Sequence, residues 1–127
     1  MNQLPSGKAG KVSTHILDTS SGKPASGVSV TISTRQDGRG EWKELGRSNT
    51  GDDGRINDFP ALPDRATQAR LTFDTEKYLS SRAARDGQEG EKVFFPEVPV
   101  IFAVEPGKEY HIPLILNPYG YSTYRGS

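Results

Sequence analysis

The sequence predicts an all-β fold, a sandwich or barrel of short strands with one short helix. Three observations lead there. Apolar and polar residues alternate with a period of two along four segments, the pattern of strands with one buried face. Glycine (14 residues) and proline (9 residues) are abundant in a chain of 127, as a fold with many turns requires. Helical periodicity is confined to a single stretch.

The elements follow in order. Residues 1–10 read as a flexible polar arm. Val12 to Asp18 is the first strand, and Asp18 begins a turn over residues 18–27. Val28, Val30 and Ile32 alternate with Ser29, Thr31 and Ser33 in the second. Asp37-Gly38 turns the chain into a third strand, Trp42 to Arg47, and Asp53-Gly54 precedes another short one. Ala69, Leu71 and Phe73 alternate with Arg70, Thr72 and Asp74. Asp74 or Thr75 is placed to cap a helix from Glu76 to Ala83, followed by a charged, glycine-rich loop over residues 84–92 that reads as mobile surface. Val98, Val100, Phe102 and Val104 form a stripe whose reverse side, with Ile101 and Ala103, is also apolar, so both faces are expected to be covered. Pro106-Gly107 fits a type II turn. Ile112, Leu114 and Leu116 form the next stripe. Asn117 to Gly120 turns the chain again, and Tyr121 to Arg125 is a short last strand.

Composition excludes several functions. Sixteen basic residues balance sixteen acidic ones, so no basic excess exists to hold nucleic acid or an anionic membrane surface. Cysteine is absent, which removes disulfides, thiol nucleophiles, Cys-ligated zinc and iron–sulfur clusters. No apolar run nears the roughly 20 residues of a membrane helix, and the first residues lack the apolar stretch of a secretory signal. A location inside the cell is therefore expected.

Few residues can carry chemistry. His15 and His111 are the only histidines, and in each strand parity sets the histidine opposite the regular apolar stripe. Singly, each reads as a surface or interface residue. A zinc site would need a carboxylate as third ligand, and neither His-x-Glu nor His-x-x-Glu spacing supplies one. There is no phosphate-binding Gly-x-x-x-x-Gly-Lys and no Gly-x-Ser-x-Gly elbow. Arg55 follows Asp53-Gly54 at the start of a strand, a place where most arginines are solvated. Three tyrosines, Tyr119, Tyr121 and Tyr124, crowd the last nine residues, where chains are normally polar and frayed.

Three stretches together resemble the transthyretin family, in its 5-hydroxyisourate hydrolase branch. They are Thr14-His15-Ile16-Leu17-Asp18-Thr19 through Gly27-Val28; Asp53-Gly54-Arg55; and His111-Ile112-Pro113-Leu114 through the terminal Tyr124-Arg125-Gly126-Ser127. The terminal tetrapeptide is the most specific of these. The resemblance spans residues 11–127. It implies a transthyretin-like two-sheet β-sandwich of seven to eight strands with one short helix, assembled as a homotetramer, a dimer of dimers, with active sites in a channel at the dimer–dimer contact. It departs from the family in a longer loop over 84–92 and in Asn117, where serine is common.

The implied reaction is hydrolysis of 5-hydroxyisourate to 2-oxo-4-hydroxy-4-carboxy-5-ureidoimidazoline in urate degradation, without metal or cofactor. The resemblance assigns His15, Arg55, His111 and Ser127 to catalysis, and His15, Arg55 and Tyr124 to substrate binding. A neutral imidazole suits water activation near pH 7. Arg55 is placed to hold substrate oxygens or a developing oxyanion, and its charge disfavours protonating a nearby histidine. Ser127 brings a hydroxyl and the terminal carboxylate; Arg125 fits an anchor for the tail. The family also implies a cytoplasmic or peroxisomal protein. Two other readings compete: a small-molecule carrier binding in the tetramer channel, which requires an apolar lining, and a structural or adhesive sandwich module.

Overall fold

Nine strands and one helix alternate along the chain in the computed structural model, which describes residues 9–38, 40–87 and 90–127. Most of the arm proposed for residues 1–10 lies outside the described residues. Gly10 is bridged to Leu62.

The first sheet is built on β1 (Lys11–Asp18) and β8 (Glu109–Asn117), which run parallel from Lys11 opposite Glu109 to Asp18 opposite Leu116. Strand β9 (Gly120–Thr123) pairs antiparallel with β8. The other edge of β1 carries two two-residue strands, β2 (Lys23–Pro24) at Leu17–Asp18 and β5 (Arg55–Ile56) at Thr14–His15. The second sheet is antiparallel in the order β4 (Lys43–Asn49), β3 (Ser29–Arg35), β6 (Gln68–Asp74), β7 (Glu97–Ala103). Seven strands are thus longer than two residues, and the two short ones bring the total to nine.

Alternation decides what fills the space between the sheets. Val12, Ile16, Ile112, Leu114 and Leu116 point inward from the first sheet and meet Val30, Ile32, Leu71, Phe73 and Val98 from the second. Thr14 is a polar member of the same inward row. It is fully buried, and its hydroxyl is satisfied by donating to the Ile112 carbonyl at 2.6 Å.

Helix α1 (Glu76–Arg85) runs two residues beyond the expected end. Thr75 occupies the N-cap, but its hydroxyl donates to the Phe95 carbonyl and makes no capping bond. The Pro96 carbonyl accepts the Thr75 and Glu76 N–H groups, at 3.1 and 3.0 Å, and so satisfies the first donor of the helix. The loop expected over 84–92 therefore begins later, and Gln88 and Glu89 lie outside the described residues. The two-sided covering expected for the Val98–Val104 segment is not present within one chain: Val98 is buried, while Ile101 on the reverse face is 53% exposed. Trp42 lies against Arg35 and Arg70 on that face and Ser33 is buried there, but Ile101, at the β7 end of the same row, stays in solvent.

Candidate active site

The face of β1 and β8 turned away from the core carries Ser13, His15 and Leu17 on one strand and His111, Pro113 and Ile115 on the other. The register places Ser13 beside His111 and His15 beside Pro113. Both histidines are half-buried. The parallel pairing, which joins residues 98 apart in sequence, is what brings them onto one surface.

Arg55 reaches this surface through a tight turn. Asp53 Oδ1 accepts the Arg55 N–H at 3.0 Å, and Gly54 adopts φ +75°. A Cβ on Gly54 would stand 2.7 Å from the Ile16 carbonyl oxygen and 2.9 Å from Pro24 Cβ, so the position excludes side chains on both conformational and steric grounds. The Gly54 carbonyl accepts from Ile16 N–H at 2.9 Å, which locks the turn to β1 and sets Arg55 opposite His15.

The C-terminal tail arrives from the other side. The β8–β9 ladder stops after the pair Leu114–Thr123, next to Pro113, which has no N–H to donate. Pairing resumes in the same register at His111 and Gly126, where Gly126 N–H donates to the His111 carbonyl at 2.8 Å. A Cβ on Gly126 would lie 2.7 Å from His111 Cδ2, so the tail backbone runs directly against the imidazole edge. On the other edge, Ser13 Oγ lies 2.8 Å from His111 Nδ1.

The result is a cleft of about 440 Å³ bordered by Ser13, Arg55, Glu109, Tyr110, His111, Gly126 and Ser127. His15 adjoins it through its pairing with Arg55. Tyr124 does not border it; with Arg125, it edges a separate, mainly apolar cleft of about 300 Å³ shared with Val100, Phe102, Tyr110 and Ile112. The Arg125 guanidinium sits 5.2 Å from the centre of the Tyr110 ring. Of the residues singled out in the sequence, His111, Arg55 and Ser127 therefore border one cleft, His15 sits at its side, and Tyr124 stands apart within a single chain.

Burial pushes the His111 imidazole below the usual histidine range, and the charges of Arg55 and His15 push it the same way. The ring is thus neutral at pH 7. Among the described residues no group of three or more His, Cys, Asp and Glu is arranged to hold a metal ion. Asp18, close to His15 in sequence, belongs to the opposite face. It is 1% exposed and serves the fold, accepting from Ser20 N–H at 2.9 Å and from the Tyr78 hydroxyl at 2.6 Å, with Arg82 Nε 3.4 Å away.

Of the two contacts on His111, Gly126 belongs to the terminal tetrapeptide singled out in the sequence, while Ser13 is passed over there. Ser13 shares parity with His15, which was visible, but its partner could be found only by knowing that β1 pairs with β8.

Fold and cleft together define a class: a two-sheet β-sandwich that gathers imidazole and guanidinium groups on the outer face of one sheet. More particularly, the chain belongs to the HIUase/Transthyretin family, whose family model matches residues 12–126. It is 41% identical over 120 residues to the 5-hydroxyisourate hydrolase of Salmonella typhimurium, covering 91% of this chain and 80% of that one. The solved structure of Klebsiella pneumoniae 5-hydroxyisourate hydrolase matches with a TM-score of 0.71 at 37% identity, over 93% of this chain and 99% of that one. Transthyretin from Sparus aurata matches with a TM-score of 0.76 at 25% identity, over 91% and 96% of the two chains. The fold is transthyretin-like, as expected from the sequence.

Proposed function

We propose that this chain is an enzyme that hydrolyses 5-hydroxyisourate to 2-oxo-4-hydroxy-4-carboxy-5-ureidoimidazoline, a step of urate degradation. The observation that carries the reading is the meeting of a neutral His111, Arg55 and the terminal Ser127 around one cleft. The similarity to 5-hydroxyisourate hydrolases over most of the chain supports the same substrate.

Opening the ring requires water to lose a proton, an oxyanion to be stabilised and a nitrogen to leave. His111, whose neutral form is favoured by burial and by the nearby Arg55 guanidinium, accepts the proton from water. Arg55 presents a planar fork of N–H donors to the substrate oxygens, where negative charge grows. His15, paired with Arg55, shares proton return to the leaving nitrogen and contacts substrate. Ser127 supplies a hydroxyl at the rim, to orient water or an imidazole. Tyr124 joins the substrate wall once protomers assemble.

Assembly as a homotetramer, a dimer of dimers, belongs to this reading. It covers the outer face of the first sheet and turns the open cleft into a channel. A carrier in that channel needs an apolar lining, and Ser13, Arg55, His111 and Ser127 do not provide one. Among the described residues no helix is long and apolar enough to cross a membrane; the reading places the protein in the cytoplasm or peroxisome, which cell fractionation tests. The decisive assay mixes the protein with freshly prepared 5-hydroxyisourate and follows its ultraviolet decay. Acceleration over the spontaneous rate supports the hydrolase, and an unchanged rate rejects it.

A further inference from the structure

His111 is gripped on two edges. Ser13 Oγ stands 2.8 Å from Nδ1, and the Gly126 backbone fills the side of Cδ2, where an added Cβ would come within 2.7 Å of Cδ2 and 3.3 Å of Cγ. Nδ1 and Cδ2 are the two ring atoms bonded to Cγ. Holding both fixes the tilt of the ring and leaves the Cε1–Nε2 end for the cleft.

We propose that Ser13 is a positioning residue: its Oγ accepts a hydrogen bond from His111 Nδ1–H and so holds the tautomer whose unprotonated Nε2 faces the cleft. The proposal rests on the hydrolase reading, in which His111 takes a proton from water. A base that works through Nε2 must keep its own proton on Nδ1, and the tautomer of an imidazole is set by the partner at its other nitrogen. A hydroxyl oxygen meets that need in both states of the ring, because Nδ1 donates to it before and after Nε2 is protonated. A carboxylate at the same place would also fix the ring, but it would favour the charged form and work against Arg55. Serine orients the base without charging it. Without the hydroxyl, the neutral ring distributes its proton over both nitrogens, and only one of the two forms can accept from water.

The test reads tautomer and turnover together, in the full-length protein. Nitrogen-15 NMR of the histidine rings is expected to show the neutral His111 ring protonated on Nδ1 in the unmodified protein. In Ser13→Ala the ring becomes a mixture of tautomers, and kcat falls about tenfold or more, as loss of an orienting partner typically does, with KM little changed. Ser13→Thr restores both. Ser13→Val, with the shape of threonine but no hydroxyl, behaves like the alanine variant, which separates the hydroxyl from strand packing. A His111 ring protonated on Nε2 overturns the proposal, as do an unaltered tautomer and kcat in Ser13→Ala or a valine variant equal to the threonine one. The spectrum needs no substrate. Unmodified protein that leaves 5-hydroxyisourate decay unchanged therefore rejects the hydrolase reading, while the ring spectrum still judges the Ser13 contact.

Discussion

At the scale of single residues, Gly126 lets the tail lie against the imidazole by what it lacks. Gly126→Ala brings a methyl group to 2.7 Å from His111 Cδ2 and 3.1 Å from the His111 carbonyl oxygen. Either the ring or the tail must move, and a shift of about 1 Å in a catalytic group can cost on the order of a hundredfold in rate. Turnover of 5-hydroxyisourate should therefore fall sharply while the melting temperature barely changes; full activity would show that the ring tolerates displacement. Replacing either histidine by alanine should cost at least about a hundredfold in turnover with the fold intact, the usual worth of a placed acid or base. Near-normal rates in both variants would remove them from the mechanism. The pH profile supplies another check. Burial, Arg55 and His15 lower the His111 pKa, so the base is lost on the acid side only below the ordinary histidine value of 6.5. The acidic limb of kcat/KM should lie below pH 6.5 and move to higher pH in Arg55→Gln, whose residual activity lacks one cause of the shift. A limb that stays in place would remove the electrostatic role of Arg55. His15, Arg55 and His111 were legible as candidates because residue type and strand parity are written locally. Ser13 was not: on a half-wet strand a serine is unremarkable until the strand 98 residues later is known to lie beside it.

At the scale of elements, the end of β1 is tied to helix α1 through one buried carboxylate. Asp18 accepts from Ser20, from the Tyr78 hydroxyl and faces Arg82, so it joins turn, strand and helix. Burial alone would raise its pKa; the hydrogen bonds from Ser20 and Tyr78 and the charge of Arg82 outweigh that and lower it below 3.8. Burial and the same carboxylate push the Tyr78 hydroxyl up to about 12. Because the folded-state pKa is the lower one, the contribution of Asp18 is complete above the unfolded value near 3.8 and is lost as pH falls through the folded value. Asp18→Ala leaves Arg82 with only its 3.9 Å contact to Asp86 and the Tyr78 hydroxyl without its acceptor, and should destabilise the protein by about 3 kcal/mol at pH 7. Denaturant unfolding should show that gap narrowing below about pH 4, and a constant gap would mean that packing, not charge, sets the effect. Sequence reasoning saw Asp18 as the start of a turn, which it is. Its second task depends on where the helix docks, and no local pattern encodes that. The same holds for the helix entrance: Thr75 is recognisable as a cap, but the acceptor of the Thr75 and Glu76 N–H groups is Pro96, on the approach to another strand.

At the scale of the whole molecule, the site is finished by the last four residues. Strand β9 ends at Thr123, and beyond it the tail is held to the sheet by the bond from Gly126 N–H to the His111 carbonyl and by Arg125 over the Tyr110 ring, with Gly126 against the His111 imidazole. Such contacts contribute about 1–2 kcal/mol together. The core between the sheets contains none of residues 124–127. Deleting them should therefore lower the melting temperature by no more than about 8 °C, because the β8–β9 ladder from Leu114 to Asn117 remains. Activity should fare very differently. The deletion removes Ser127 from the rim, strips the Cδ2 edge of His111 of its neighbour and takes away Tyr124, so turnover should drop at least about a hundredfold. Sedimentation of the same variant separates two causes. If the truncated protein keeps the oligomeric state of the full chain, the tail acts on the chemistry of the cleft. If it falls to smaller species, the tail holds protomers together, and its catalytic assignment is withdrawn.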